Sequence, residues 1–265
     1  MKLIWAAALA AFIAIAQTPQ SFRFVLLGDR TGETVPGIYA AVWKELTAEK
    51  PAIVVGVGDT IQGLNDATAE AEWKQIPHPP IPFYQAPGNH DIWSEASEKL
   101  FTKYTGHPPH YSFDYGPAHF TILDNSRSDQ FSAAEMTYLE DDLKGHADQP
   151  LKFIVSHRPS WIFNAVIGNP DFELQHIAKK YGVRFIVAGH VHKLAHAEIE
   201  GVTYISMQSA GGHLRDSARY EDGWFFGYDV IEADAHGAAI QIKEMGGRTT
   251  NLSDWGVAGL IRHSP

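Results

Sequence analysis

The stretch AIVVGVGD, residues 52–59, is apolar through Val57 and then stops on a carboxylate. A strand with no polar face is covered on both sides, as in parallel sheets. Upstream lie FRFVLLGD (22–29), which also ends on an aspartate, and PGIYAAVWKELTAEK (36–50), whose spacing predicts a helix with Pro36 in its first turn. Together they predict a βαβ unit. A third strand is read at IPFYQAP (81–87), running into GNHD, and HYSFDY with HFTILD predicts an antiparallel hairpin. Next comes a helix over 133–145, with Ser132 and Glu135 spaced as a capping box and Gly145 placed to end it. Strand, helix and strand then repeat in LKFIVSH, DFELQHIAKKYG and VRFIVAGH. From Leu194 onward the chain reads as β segments alone. This pattern predicts an α/β protein with two sheets, the second largely antiparallel, and helices outside.

The 265 residues are 45% hydrophobic and 20% charged, enough for a substantial core, and no composition shift marks a second domain over 17–265. Residues 1–16 place Lys2 before an apolar run from Leu3 to Ala16, shorter than the ~20 residues a membrane-spanning helix needs. With small residues at Ala14 and Ala16, they are expected to be a signal peptide cleaved after Ala16, giving a secreted or periplasmic protein with no stable membrane anchor. The absence of cysteine excludes disulfides, thiolate chemistry and a lipid-modified cysteine. A net charge of −10 without a basic run argues against nucleic acid as a tight partner.

Five apolar strands run directly into metal-binding residue types: Asp29, Asp59, Asn89-His90-Asp91, His157, and His190 with His192. In open α/β sheets the carboxyl ends of parallel strands converge on the ligand site, so distant residues meet there without a local motif. Carboxylate, amide and imidazole without thiolate suit manganese, iron, zinc or magnesium. So many donors exceed the needs of one ion. Two ions ~3.5–4 Å apart, sharing a carboxylate and a hydroxide, generate a nucleophile and clamp the oxygens of a phosphate ester.

The blocks GD (28–29), GD (58–59), GNHD (88–91), the strand-terminal His157 and GHVH (189–192), in this order from about Phe22 to Gly212, resemble the calcineurin-like metallophosphoesterases, the superfamily that includes purple acid phosphatases. The resemblance implies a four-layer αββα sandwich with two central mixed sheets. It assigns Asp29 and His192 to a first metal, Asn89, His157 and His190 to a second, and Asp59 as the bridge. It places His90 beside the scissile phosphate, stabilising charge or protonating the leaving oxygen, with Asp91 orienting its imidazole. The implied activity is hydrolysis of small-molecule phosphomonoesters or phosphodiesters by a metal-bridging hydroxide, with manganese, iron or zinc as cofactors. Many family members carry Asp-x-His at the first motif. This chain has Asp29-Arg30-Thr31, and where the purple acid phosphatases compensate with a tyrosine it has Gln62. The first site is therefore short of one strong ligand, leaving water, Thr31, Gln62 or substrate to complete it.

A catalytically silent phosphate- or metal-binding protein on the same scaffold is the alternative, and a hydrolase of nonphosphate esters is a third reading. Arg30 suits either an anion or an ion pair with Glu33. Trp161 and Phe163 either wall the cleft or pack on the scaffold, and Trp93 is open to the same two readings. His107, His110, His119, His196 and His213 default to surface or structural roles, and Gly211-Gly212 to a turn.

Overall fold

In the computed structural model, which describes residues 20–77 and 80–255, the first two apolar segments form parallel neighbours. These are β1 (Ser21–Leu27) and β2 (Ile53–Gly56), joined through α1 (Ile38–Ala48). The leader and its cleavage point lie outside the described residues. The helix starts two residues later than Pro36 suggested, because Gly37 turns left-handed (φ 82°) and leaves Pro36 in the preceding turn. β3 (Phe83–Gln85) extends the parallel run.

The second sheet is built from β4 (Tyr111–Tyr115), β5 (Ala118–Ile122), β6 (Leu151–Val155), β7 (Phe185–Ala188), β8 (Ala195–Ile199) and β9 (Val202–Ser206). Its order is β4-β5-β6-β7-β9-β8. β5, β6, β7 and β9 run parallel, and the outer pairs β4–β5 and β9–β8 are antiparallel. The sheet is therefore mixed and not largely antiparallel. The chain tail divides between the sheets: β8 and β9 stay with the second, whereas β10 (Gly227–Asp234), β11 (Gly237–Glu244) and β12 (Thr249–Asn251) cross to the first. That sheet reads β12-β11-β10-β1-β2-β3, with β10 antiparallel to β1.

The two sheets face each other across an aromatic core. Phe24 meets Phe120 and Phe153 edge-on at 5.3 and 5.4 Å, and Phe120, Phe153 and Phe185 stack in sequence at 4.9 Å. Each such buried ring contributes about 2–3 kcal/mol by removal from water. Outside the first sheet, Val42, Trp43 and Leu46 of α1 cover Val25, Leu27 and Val54. Outside the second, α4 (Ala133–Gly145) and α6 (Glu173–Lys180) bring Leu139, Leu143, Leu174 and Ile177 onto Ile154, Ile186 and Tyr204. The result is the expected four-layer αββα sandwich. Ser132 caps α4 by accepting from Glu135 N at 3.1 Å, but the Glu135 carboxylate does not close a capping box; it pairs with His110 Nδ1 at 2.6 Å.

Three helices went unread in the sequence: α2 (Asp66–Trp73), α3 (Glu95–Thr105) and the short α5 (Ile162–Ile167). α2 and α3 pack on one another through Trp73 and Phe101, beside Ile61 and Ile92, and brace the loops that follow β2 and β3. Among the described residues no helix is long and apolar enough to cross a membrane.

Candidate metal centre

The parallel strands β1, β2, β3, β6 and β7 release their chains at one edge of the sandwich. Asp29 leaves β1 fully buried. Its carbonyl accepts from Ala210 N (2.9 Å), Gly212 N (3.2 Å) and Ser209 Oγ (3.3 Å), so the turn at 209–212 holds it from behind. Arg30 N and Thr31 N both donate to Asp59 O, at 3.2 and 3.1 Å, which clips the first motif to the second. His190 N donates to Asp29 Oδ2 at 2.8 Å and His90 N to Asp59 Oδ1 at 2.9 Å. Each carboxylate thus spends one oxygen on a backbone amide.

The second oxygen of Asp59 and the same Oδ2 of Asp29 stand near imidazoles. His157 donates from Nδ1 to Val57 O (2.8 Å), and His192 from Nδ1 to His213 O (2.7 Å). Tying Nδ1 to a carbonyl orients the ring and turns the Nε2 lone pair inward. Around His157 Nε2 stand Asn89 Oδ1 at 3.1 Å, His190 Nδ1 at 3.2 Å and Asp59 Oδ2 at 3.3 Å; His192 Nε2 stands 3.2 Å from Asp29 Oδ2. Asp29 Oδ1, Asp59 Oδ2 and His192 Nε2 are buried without a hydrogen-bond partner, since the approaches of His157 Nε2 to Asp59 Oδ2 and of His192 Nε2 to Asp29 Oδ2 lack hydrogen-bond geometry. Buried acceptors converging on one another without donors are costly unless a cation or proton lies between them. The ligand atoms fall into two groups, Asp59–His157–His190 and Asp29–Asp59–His192, each within 4.8 Å and sharing Asp59. This oxygen-and-imidazole donor set fits hard and borderline cations.

Backbone strain accompanies the cluster. Asp59 (φ 55°), His190 (φ 70°) and His192 (φ 60°) all occupy the left-handed region, unfavourable for side chains that branch from a Cβ. Charge is sorted sharply as well. Burial pushes His157 down, but Asp59 and Asp29 outweigh it and raise the ring to about 9. Burial works to raise Asp59, and His157 and His90 overcome that and hold its carboxyl below the usual carboxylate range. His190 drops to about 4 through burial and the positive His157 and Arg158 beside it.

The structure thus brings Asp29, Asp59, Asn89, His157, His190 and His192 together, with His90 at the rim. Asp91 departs from its expected role. It is buried beneath the loops, accepting from Thr60 N (2.8 Å), Ile61 N (3.1 Å) and Gly88 N (2.9 Å), and its carboxyl is raised to about 6 by burial and the charge of Asp59. The His90 imidazole is instead oriented by Gln62, whose carbonyl accepts from Nδ1 at 2.6 Å. Asp91 shapes the backbone on which the site is built; its side chain faces away from the ring because the chain turns back at Gly88.

Thr31 is fully buried, its hydroxyl hydrogen-bonded to Gln62 Oε1 and 3.0 Å from Thr34 Oγ1. The two side chains read as substitute ligands are therefore engaged with each other. Arg30 neither pairs with Glu33 nor faces an anion site; it donates to Thr60 O (2.8 Å) and lies over the Tyr39 ring. Trp161 is buried against Tyr204, Phe163 is 70% exposed on α5, and Trp93 packs beside the α2–α3 cluster. Gly212 is more than a turn residue: a methyl there would lie 2.1 Å from Thr31 O and 2.5 Å from His192 Cε1.

Three contributors were missed. Asn125 Oδ1 accepts from His157 N (3.1 Å) and Arg158 N (3.0 Å) and so holds the His157 turn; the polar pair ending TILDN was the available signal. Ser209, whose hydroxyl reaches Asp29 O, and His213, whose carbonyl accepts from His192 Nδ1, lie in a segment with no motif. Beside the metal-type cluster a cavity of about 360 Å³ is lined by Gly32, Glu33, Gln62, His90, His213 and Arg215.

A third donor group, Asp114, His119 and His146, lies at the other end of β5. Both His119 nitrogens are taken, by Asp114 (2.7 Å) and Asp142 (2.9 Å), its ring stacks on His146 at 3.9 Å, and His146 Nδ1 donates to Asp142 O (2.8 Å). It is an ion-pair cluster of the fold.

A family model for calcineurin-like phosphoesterase matches residues 22–194. No curated protein matches the chain in sequence. Among solved structures the fold is similar to purple acid phosphatase PPD1 isolated from yellow lupin (Lupinus luteus) seeds, with TM-score 0.66 at 18% identity over 87% of this chain and 53% of that one, so this chain spans about half its length. It is also similar to GAP50, the anchor in the inner membrane complex of Plasmodium (TM-score 0.61, 15% identity, 88% and 89% covered). A third likeness is to PhoD (TM-score 0.61, 13% identity, 88% and 69% covered).

Proposed function

The chain belongs to the calcineurin-like phosphoesterase family, and on that premise we propose that it hydrolyses small-molecule phosphoesters at a dinuclear centre held by Asp29, Asp59, Asn89, His157, His190 and His192. The observation that carries the reading is the buried, unpartnered set Asp29 Oδ1, Asp59 Oδ2 and His192 Nε2 facing inward between ligand groups that share Asp59. Two cations there, of manganese, iron or zinc, would supply a deprotonated water at neutral pH and neutralise the phosphate oxygens.

The protein's own groups do the rest. Val57 and His213 carbonyls keep both imidazoles in the tautomer whose Nε2 is free to bind. His90, with Nδ1 donating to Gln62 O, lines the cavity and has Nε2 left for the substrate. In its protonated form that ring gives a proton to the leaving alkoxide as the bond from phosphorus to the leaving oxygen breaks and the attacking oxygen's bond forms. The products are an alcohol and a phosphate, or an alcohol and a phosphomonoester when the substrate is a diester. The Lys2-plus-apolar leader supports export, so the substrates would be extracytoplasmic esters.

Thr31, buried and hydrogen-bonded to Gln62 where relatives have an imidazole, favours one competing reading, a silent binding protein. One experiment separates the two. Turnover of p-nitrophenyl phosphate and bis(p-nitrophenyl) phosphate is titrated with Mn²⁺, Zn²⁺ and Fe²⁺ for the mature protein, Asn89→Ala and His90→Asn. Expected are metal-dependent turnover, abolition in Asn89→Ala with weakened metal binding, and a kcat lower by roughly 10²–10⁴ in His90→Asn with metal binding kept. A folded wild type that turns over neither ester with any metal supports the binding protein.

A further inference from the structure

We propose that Arg215 is a specificity-determining residue that commits this cleft to phosphate monoesters, by donating to the terminal oxygens of the dianion. The proposal rests on the phosphoesterase reading above and deepens it.

Its position carries the argument. Arg215 lines the cavity of about 360 Å³ together with His90 and Gln62. The segment bearing it is stitched to the first motif: His213 N donates to Gly32 O (3.2 Å) and Glu33 O (2.9 Å), and Val35 N to Gly211 O (2.7 Å). Gly32 leaves the space between metal site and guanidinium open. A methyl there would sit 3.0 Å from His192 Nε2 and 3.4 Å from Arg215 Nη2, so the guanidinium lies about one side chain's width from the ligand nitrogen of His192.

The other arginines near the centre are spent. Arg158 gives Nη1 to Asp129 (2.6 Å) and Nε to Ser126 O (3.3 Å), and Arg30 gives Nη1 to Thr60 O (2.8 Å). Arg215 makes no such side-chain bond among the described residues, and the single carboxylate in the cavity lining, Glu33, disfavours indiscriminate anion capture. A monoester carries one more terminal oxygen and one more charge than a diester, and that extra oxygen needs a donor outside the metal pair. A planar guanidinium matches it with paired N–H groups. A diester places a second organic group where the guanidinium stands.

The test compares wild type, Arg215→Ala and Arg215→Lys, with Mn²⁺ present, in two assays. The first is the ratio of kcat/KM for p-nitrophenyl phosphate to that for bis(p-nitrophenyl) phosphate. The second is calorimetric binding of inorganic phosphate. Arg215→Ala is expected to lower the monoester-to-diester ratio by roughly 10–100-fold, mostly through monoester KM, and to weaken phosphate binding to a similar degree. Arg215→Lys is expected to recover only part of both. An unchanged ratio, or unchanged phosphate affinity in Arg215→Ala, overturns the proposal while leaving the phosphoesterase reading intact. A wild type that turns over neither ester overturns that reading, and phosphate calorimetry on the same variants then still decides the role of Arg215. Unchanged melting temperatures across the three proteins show that the fold is common to all.

Discussion

Replacing Asp229 by asparagine is expected to stabilise the protein at high pH. Asp229 sits on β10 opposite Leu26 of β1 and is fully buried between the sheets. Its one side-chain partner is Gln208, whose Nε2 donates to Oδ1 at 2.7 Å. Asp229 Oδ2 and Gln208 Oε1 are two buried acceptors without a donor, so the pair is one proton short. Burial pushes the carboxyl up to about 7 from 3.8, against the pull of the Gln208 amide. An acid whose folded value is raised binds its proton more tightly in the native state, so stability is greatest below the unfolded value and falls as pH rises toward 7. The whole displacement corresponds to at most about 4 kcal/mol, of which about 3 kcal/mol falls between pH 5 and pH 8. Asparagine keeps the shape and supplies a permanent N–H donor. Urea unfolding of wild type and Asp229→Asn at pH 5 and pH 8 reads the difference directly, with the other titrating groups cancelling. A stability difference between the two proteins that is the same at both pH values would refute the reasoning.

Two further substitutions test the supports of the site and of the fold. Gly212→Ala forces a methyl against Thr31 O and His192 Cε1, and it is expected to weaken Mn²⁺ binding at least tenfold in calorimetry; full retention of affinity would show that the 209–212 turn yields freely. His119→Ala removes one donor from the Asp142 carboxylate, which keeps Ser112 Oγ and Thr121 Oγ1 (both 2.6 Å), and is expected to cost about 1–3 kcal/mol in urea unfolding. Burial lowers the His119 ring, but its bonds to Asp142 and Asp114 prevail and raise it. The stabilisation is therefore complete below pH ~6.5, the ordinary imidazole value, and shrinks as pH climbs through the raised one. A penalty that grows from pH 6 to pH 9 would contradict this.

The proposed ligand residues were legible because each follows an apolar strand, and parallel strands deliver their carboxyl ends to one edge whatever their order. The same logic fails wherever partners are chosen at long range. WFFGYDVIEAD reads plainly as β structure, but nothing local says that it pairs with β1 in the first sheet and not with β9 beside it in sequence. α2 and α3 carry cap residues, Asn65 and Ser94, yet DATAEAEW buries only Ala69 and Trp73 and has too little apolar stripe to stand out. Asp91 misled through adjacency: neighbouring side chains point apart in a tight turn, so a carboxylate next to His90 in sequence serves Gly88, Thr60 and Ile61. Arg215 and the His213 carbonyl belong to a loop with no periodicity and become visible only when folded against Gly32.

The placement of β10 also sets a clock on synthesis. β1 has β2 on one side from the outset, but its other neighbour is not made until residues 227–234. At roughly 5–20 residues per second of translation, that edge stays open for on the order of 10–40 s. Every residue proposed as a metal ligand has been made by His192, yet the second edge of the strand that presents Asp29 is covered only when β10 returns to it. Closure of that edge thereby waits on β10, and a chain broken off before Gly227 carries all the proposed metal-binding side chains with one edge of β1 unpaired.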